Sequence, residues 1–295
     1  MSQPPLSIAD ALRQAQLQQL PRLDAQMLLL HVLGQSPRDR AWLLAHDDDL
    51  LDTATQARWE ALCLRRLAGE PMAYLLGQRE FFGLELQVDA RVLDPRPDTE
   101  ILVEWALELL PSLASSPAIA DLGTGSGAIA CAIAAHAPGA QVFACDASDD
   151  ALAVARSNAE QLQLPVQFAH GCWLQAFAPA TPRFDLIVSN PPYIRADDPH
   201  LQALMHEPLS ALASGIDGLD DIRAIIAQAP AWLKPGGWLL LEHGYDQSEA
   251  VQALLRQQGF AAVQSRQDLA SIARCTGGRW AASSPQLDPE QASIV

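Results

Sequence analysis

No run in this chain approaches the roughly 18 consecutive apolar residues that a membrane-spanning helix needs. The opening stretch MSQPPLSIAD has neither the basic start nor the apolar core of a secretion signal. A protein that is neither embedded nor exported is therefore expected, working in the cytoplasm. Basic residues are scarce too: 19 Lys and Arg stand against 35 Asp and Glu, a formal net charge of -16. That balance opposes general attraction to nucleic acid phosphates, so no direct nucleic acid partner is expected. Cysteines number five, and Cys63, Cys131, Cys145, Cys172 and Cys275 include neither a CxxC pair nor a histidine at zinc spacing. Reduced, mostly buried thiols and no metal site follow.

What the chain does have is apolar material: 49% of its 295 residues are hydrophobic, enough for a sizeable core. At roughly 100 to 200 residues per domain this length implies two unequal domains. In the first, Ser7 and Asp10 form a capping pattern ahead of apolar residues at helical spacing, with Leu23, Met27, Leu30 and Leu33 before Gly34. A third helix is expected to start at Ser36-Pro37, and a fourth carries Trp59, Leu62, Cys63 and Leu67 before Gly69-Glu70-Pro71 stops it. The acidic run HDDDLLD, residues 46–52, reads as a solvated helix junction. Residues 1–75 are thus expected to form a small helical bundle.

Alternation at Phe82, Leu84, Leu86 and Val88, then a short run at Val92-Leu93, predicts a β-hairpin linker within 76–97. The stretch DPRPDTE follows, with Asp98 or Thr99 as the candidate cap of the helix ILVEWALELL. From Ala118 onward the runs AIADLG, QVFACD, VQFAH, FDLIVSN and WLLLEHG alternate with helical stretches, the signature of a doubly wound α/β domain, placed at 98–282. Residues 283–295 read as a mobile tail.

Two stretches carry chemistry. The first, Asp121-Leu122-Gly123-Thr124-Gly125-Ser126-Gly127, closes a strand and opens the Ala-rich helix AIACAIAAHA. Glycines there let backbone approach a ligand, and a helix start offers free N–H groups. A carboxylate at 121 suits an ammonium better than a pyrophosphate, and Asp146 ends the next strand at the spacing where an acid takes ribose hydroxyls. Ammonium plus ribose point to S-adenosylmethionine; otherwise Asp121 caps a turn and Asp146 caps the following helix.

The second stretch is Asn190-Pro191-Pro192-Tyr193, at the carboxyl end of FDLIVSN, where α/β sheets bind ligands. Prolines end the ladder and free carbonyls for other partners. The Asn190 side-chain oxygen and the Pro191 carbonyl are two acceptors matched to the two donors of a planar –NH2, with the Tyr193 ring to stack on its face. Gripping both hydrogens orients the nitrogen lone pair and stabilises charge developing in the transition state. The simpler alternative is a strand end with a proline turn and Asn190 as its cap. His170 and His206 lack a second group at defined spacing and read as surface or structural residues.

DLGTGSG, ACD, SNPPY and PRPDTE, together with GEPMAYLLGQREFFG, resemble the protein-(glutamine-N5) methyltransferases of the HemK/PrmC type over about residues 5–282. The resemblance implies a class I S-adenosylmethionine-dependent methyltransferase domain, Rossmann-like, behind a helical substrate-recognition domain. Its implied substrate is the glutamine of the Gly-Gly-Gln motif in peptide chain release factors. It also implies that Gly123 to Gly127, Asp146, Trp173 and Asn190 hold the cofactor, and Asn190 to Tyr193 the glutamine. Two departures stand out: Cys172 replaces a frequent acid before the tryptophan, and His206 a frequent aromatic in HLQALMHEPLSAL. The segment 194–215 is expected to cover or flank the substrate. Because N6-adenine methyltransferases of DNA or RNA share NPPY, that activity is the alternative, with a non-catalytic cofactor-binding adaptor as a third reading.

Overall fold

The computed structural model describes residues 5–281, so the tail expected at 283–295 lies outside the described residues. Five helices open the chain: α1 (Ile8–Leu17), α2 (Arg22–Val32), α3 (Arg40–Ala45), α4 (Thr53–Leu67) and α5 (Met72–Leu76). Ser7 caps α1 as expected, its hydroxyl oxygen accepting from Asp10 N. The cap of α3 is instead Asp39, which accepts from Trp42 N, so the helix starts later than Ser36-Pro37 implies. Gly69-Glu70-Pro71 does stop α4, but Pro71 also opens α5, a helix not expected from the sequence pattern. A proline is as compatible with the start of a helix as with its end. Ile8, Leu28, Leu29, Leu30, Leu43 and Trp59 fill the core of the bundle.

The hairpin is real but displaced. Its strands are β1 (Gln78–Phe81) and β2 (Leu84–Gln87), paired with Phe81 opposite Leu84. Phe82 and Gly83 form the turn, both with positive φ (50° and 77°), as a two-residue hairpin loop of the inverted type requires. The alternation from Phe82 to Val88 therefore begins in a turn rather than a strand, and Val92-Leu93 is no strand. The Val92 carbonyl accepts from the Tyr74 hydroxyl. Phe81 and Leu86 pack into the same apolar core as the following domain. Asn158 grips Gln87 from that domain, accepting from its N at 2.7 Å and donating to its carbonyl at 2.9 Å.

The larger sheet contains β3 (Ala118–Leu122), β4 (Gln141–Asp146), β5 (Val166–His170), β6 (Phe184–Ser189), β7 (Leu233–Glu242), β8 (Phe260–Gln267) and β9 (Ala273–Trp280). Their spatial order is β5-β4-β3-β6-β7-β9-β8. The first five in this order are parallel, whereas β9 runs antiparallel to both β7 and β8. Helices α6 (Glu100–Leu109), α7 (Ala128–His136) and α8 (Asp149–Gln161) contribute to one core layer, and α9 (Asp220–Trp232) and α10 (Ser248–Gln258) to the other. The expected helix-covered α/β sheet is present. Its antiparallel pair goes unsignalled because the run ARCTGGRW holds two glycines; at Gly277 a Cβ would lie 2.4 Å from Leu240 and 2.8 Å from Trp105.

The chain moves outward from β3 to β5 and returns to β6 on the other side of β3. Crevices form at such a reversal of strand order, beyond the carboxyl ends of the strands. Leu122 pairs with Ser189 across it, and the Ser189 hydroxyl donates to the Leu122 carbonyl at 2.7 Å. The glycine loop and Asn190 consequently leave the sheet side by side.

Candidate functional site

A cleft of about 370 Å³ opens at this crevice, with Gly123, Gly125, Asp146, Trp173, Asn190 and Pro192 in its lining. Asp146 is engaged from the loop side: its Oδ2 accepts from Gly125 N at 2.9 Å and its Oδ1 from Ser148 N at 2.9 Å. The helix cap after β4 is Ser148, not Asp146. Each Asp146 oxygen retains acceptor capacity for a ligand hydroxyl.

Gly123 has φ +68°, and a Cβ there would come within 3.0 Å of the Trp173 ring. Trp173 itself has φ +51°, a conformation that costs free energy in a bulky residue and that clusters at ligand sites. Its carbonyl accepts from the Cys145 thiol. Gly127, the N-cap of α7 at φ +83°, serves a different end, since a Cβ there would meet Ala155 of α8 at 3.2 Å.

The remaining loop residues lie behind the cleft. Asp121 is wholly buried, accepting from the Thr124 hydroxyl at 2.6 Å and from Ala130 N at 3.2 Å, while its Oδ1 has no protein partner. Burial pushes its carboxyl up to about 7, with the Thr124 and Ala130 donors pulling down and Asp146 adding repulsion. Thr124 and Ser126 are buried, and the Ser126 carbonyl accepts from Asn158. Asp121, Thr124, Ser126 and Gly127 therefore shape the loop from behind, without being part of the cleft lining.

Asn190 also borders a second, smaller cavity of about 90 Å³, whose lining includes Leu93, Arg96, Tyr193 and Leu204. It is the residue of the Asn-Pro-Pro-Tyr stretch common to both spaces; Pro191 is buried and lines neither. The Asn190 amide donates from Nδ2 to Thr99 Oγ1 at 3.1 Å. Thr99 does not cap α6 by a side-chain hydrogen bond, contrary to expectation, and Asp98 is instead paired with Arg274 of β9 at 3.2 Å. The Tyr193 hydroxyl donates to Glu242 Oε1 at 3.3 Å, and burial raises its pKa well above the ordinary range. Glu242, at the end of β7, is wholly buried. Burial pushes its carboxyl up to about 7 against the opposing pull of the Thr99 and Tyr193 hydroxyls.

The segment after the prolines folds back over these spaces, contributing Pro208, Ser210 and Ala211 to the cleft and Ala211 and Leu212 to the smaller cavity. Two ties hold it. Arg96 of the DPRPDTE stretch pairs with the buried Glu207 at 2.6 Å, and the half-buried His206 ring donates from Nε2 to the Ala68 carbonyl at 3.1 Å. His170, which is exposed, donates to the Ala147 carbonyl, so each histidine has a structural contact to backbone. Sequence reasoning missed Thr99 and Glu242 as neighbours of the site, along with Leu93, Gly171 and Ala211 in its walls. A weak signal existed in the buried acid of WLLLEHG, a carboxylate closing an apolar strand.

Comparison with known proteins matches residues 7–77 to the PrmC N-terminal domain and residues 99–262 to the methyltransferase small domain. A release factor glutamine methyltransferase of Bordetella pertussis is 54% identical over 261 residues, covering 88% of this chain and 95% of that protein. Its namesake from Burkholderia pseudomallei is 50% identical over 283 residues, covering 93% and 96%. Among solved structures, the T. thermophilus 16S rRNA N2 G1207 methyltransferase in complex with AdoMet and guanosine superimposes with a TM-score of 0.51 at 21% identity, over 68% of this chain and 49% of that one, a likeness of fold. With such identity along nearly its whole length, this chain belongs to the release factor glutamine methyltransferase family.

Proposed function

We propose that this protein transfers the methyl group of S-adenosylmethionine to the side-chain amide nitrogen, N5, of the glutamine in the Gly-Gly-Gln motif of peptide chain release factors. The observation that carries the reading is the position of Asn190, an acceptor-bearing amide shared by the walls of a large cleft and a small cavity beside it. The residues of the large cleft fit the cofactor. An acid at the end of β4 offers acceptors to ribose hydroxyls, an aromatic ring supplies a wall, and buried Asp121 retains an unpartnered oxygen beneath the loop. S-adenosylmethionine supplies a methyl group made electrophilic by a positively charged sulfur.

The small cavity takes the glutamine side chain. The Asn190 side-chain oxygen accepts an N–H of its amide, which orients the nitrogen lone pair toward the large cleft and favours positive charge developing on it. Tyr193, tethered by its hydroxyl to Glu242, offers a ring held in one place for the amide face. The proton becomes acidic once nitrogen carries the methyl, so no strong base is needed. Residues 194–215, tied down through Glu207 and His206, shield the reacting atoms from water, and the helical domain at 1–75 contacts the release factor. No described helix is long and apolar enough to cross a membrane; the site of action is the cytoplasm, where release factors work. Family membership favours the amide over the adenine amine and over the adaptor reading.

The test is a mass measurement on a folded release factor incubated with enzyme and S-adenosylmethionine. A single added methyl on the glutamine of Gly-Gly-Gln is expected, and an unmodified peptide refutes the proposal. Asn190→Ala should lower kcat by about 10² to 10³-fold, the typical cost of a deleted transition-state hydrogen bond, while remaining folded.

A further inference from the structure

Asn190 is useful only if its carboxamide presents oxygen to the substrate. A carboxamide is nearly symmetric in shape, so the choice between oxygen and nitrogen rests with its hydrogen-bond neighbours. Here Nδ2 donates to Thr99 Oγ1 at 3.1 Å, and no described residue donates to Oδ1. A threonine hydroxyl has a single proton and can either donate to an amide oxygen or accept from an amide nitrogen. Glu242 bears on the polarity. It is wholly buried, accepts from Tyr193 at 3.3 Å and has no hydrogen-bond partner at Oε2, and the Thr99 hydroxyl is among the groups that pull its burial-raised carboxyl back down. An ionised carboxylate only accepts, so it draws the Thr99 proton toward itself and leaves Oγ1 an acceptor for Asn190.

We propose that Thr99, polarised by Glu242, is a positioning residue that locks the Asn190 carboxamide with its oxygen facing the substrate amide. The inference rests on the methyl-transfer reading above. Protonating Glu242 frees the Thr99 proton to donate to Asn190; the amide then turns, and its –NH2 meets the –NH2 of the substrate, donor against donor. The charged and titratable groups around Glu242 are Asp98 beside Thr99, Tyr193 after β6, and Arg274 and Cys275 of β9, with His243 next to it in the chain. Arg274 favours ionised Glu242 and Asp98 opposes it. Thr99 and Asn190 lie 91 residues apart, which is why no local pattern links them.

Wild-type enzyme is assayed first on the release factor; absence of methylation there refutes the methyl-transfer reading and not this inference. Given activity, Thr99→Val should lower kcat about tenfold or more, the order expected of a misoriented reacting group, with KM for the release factor and cofactor affinity nearly unchanged. Thr99→Ser, which restores the hydroxyl, should recover most of the rate. At saturating S-adenosylmethionine, which removes any contribution of Asp121 through cofactor binding, the wild-type single-turnover rate should fall as pH drops through about 7, the range to which Glu242 is raised, and Glu242→Gln should abolish that acid limb. A Thr99→Val enzyme at wild-type kcat, a Thr99→Ser enzyme as slow as Thr99→Val, or an acid limb that survives in Glu242→Gln overturns the proposal. The last comparison stands even if Thr99→Val does not fold.

Discussion

Substituting alanine at two glycines of one loop separates a ligand wall from a packing contact. Gly123 and Gly127 both have positive φ, +68° and +83°, so a Cβ at either costs about 1 to 2 kcal/mol in the backbone alone. Both also lack room. The new methyl group would lie 3.0 Å from the Trp173 ring at 123, and 3.2 Å and 3.3 Å from Ala155 Cβ and Cα at 127. Overpacking adds about 1 kcal/mol or more, so Gly123→Ala and Gly127→Ala should each lose about 2 to 4 kcal/mol in urea unfolding. Their effects on cofactor binding should diverge. At 123 the strain falls on Trp173, which lines the large cleft, and losing an aromatic contact worth about 1.5 kcal/mol weakens cofactor affinity about tenfold. At 127 it falls on the packing of α7 against α8, and affinity should change by no more than about threefold. Calorimetric titration of S-adenosylmethionine into each folded variant measures the difference. Equal losses of affinity at comparable stability would refute Trp173 as the cofactor wall.

Two further outcomes follow from buried charge. Arg96→Ala leaves the Glu207 carboxylate, whose side chain is 2% exposed, without its ion-pair partner; unpairing a buried charge costs about 3 to 5 kcal/mol, and a urea-measured loss below about 1 kcal/mol contradicts the assignment. Asp121 and Glu242, raised by burial to about 7, bind protons more tightly folded than unfolded. Their contribution to stability is therefore complete below about pH 4 and lost as pH rises through about 7. Within that window each group lowers stability by up to about 1.4 kcal/mol per pH unit. Asp121→Asn should flatten the decline between about pH 4 and about pH 7, and an unchanged pH dependence in unfolding experiments argues against the buried neutral acid.

Local signals in the sequence suffice where chain chemistry and fold coincide. A strand running into Asp121-Leu-Gly-Thr-Gly-Ser-Gly127 must turn there, and one running into two prolines must stop pairing, so residue order alone puts both stretches at strand ends, where they stand in the fold. Locating the cleft lining is harder. Asp121, Thr124 and Ser126 belong to the loop in sequence but lie behind it in space, their side chains buried while Gly123 and Gly125 line the cleft. Thr99 and Glu242 approach Asn190 and Tyr193 across 91 and 49 residues, through the order of the sheet strands. The hairpin is displaced from its expected register because Phe82, an apolar residue at a strand-like interval, occupies a turn position with φ 50°.

The interior place of β9 bears on how the molecule is made. This strand, last of the described elements in the chain, is not at the margin of the sheet but between β7 and β8. It pairs with the β7 residue Glu242 through Cys275, and its Arg274 reaches Asp98. During synthesis the ribosome thus delivers the glycine loop, Asn190 and Tyr193 long before the strand that completes their surroundings. Until β9 inserts, β7 keeps an open edge able to pair with foreign strands, and β8 has no partner to hold it. A nascent chain halted before residue 273 already encodes the reaction chemistry but not the framework that aims it, so maturation waits until β9 has been read.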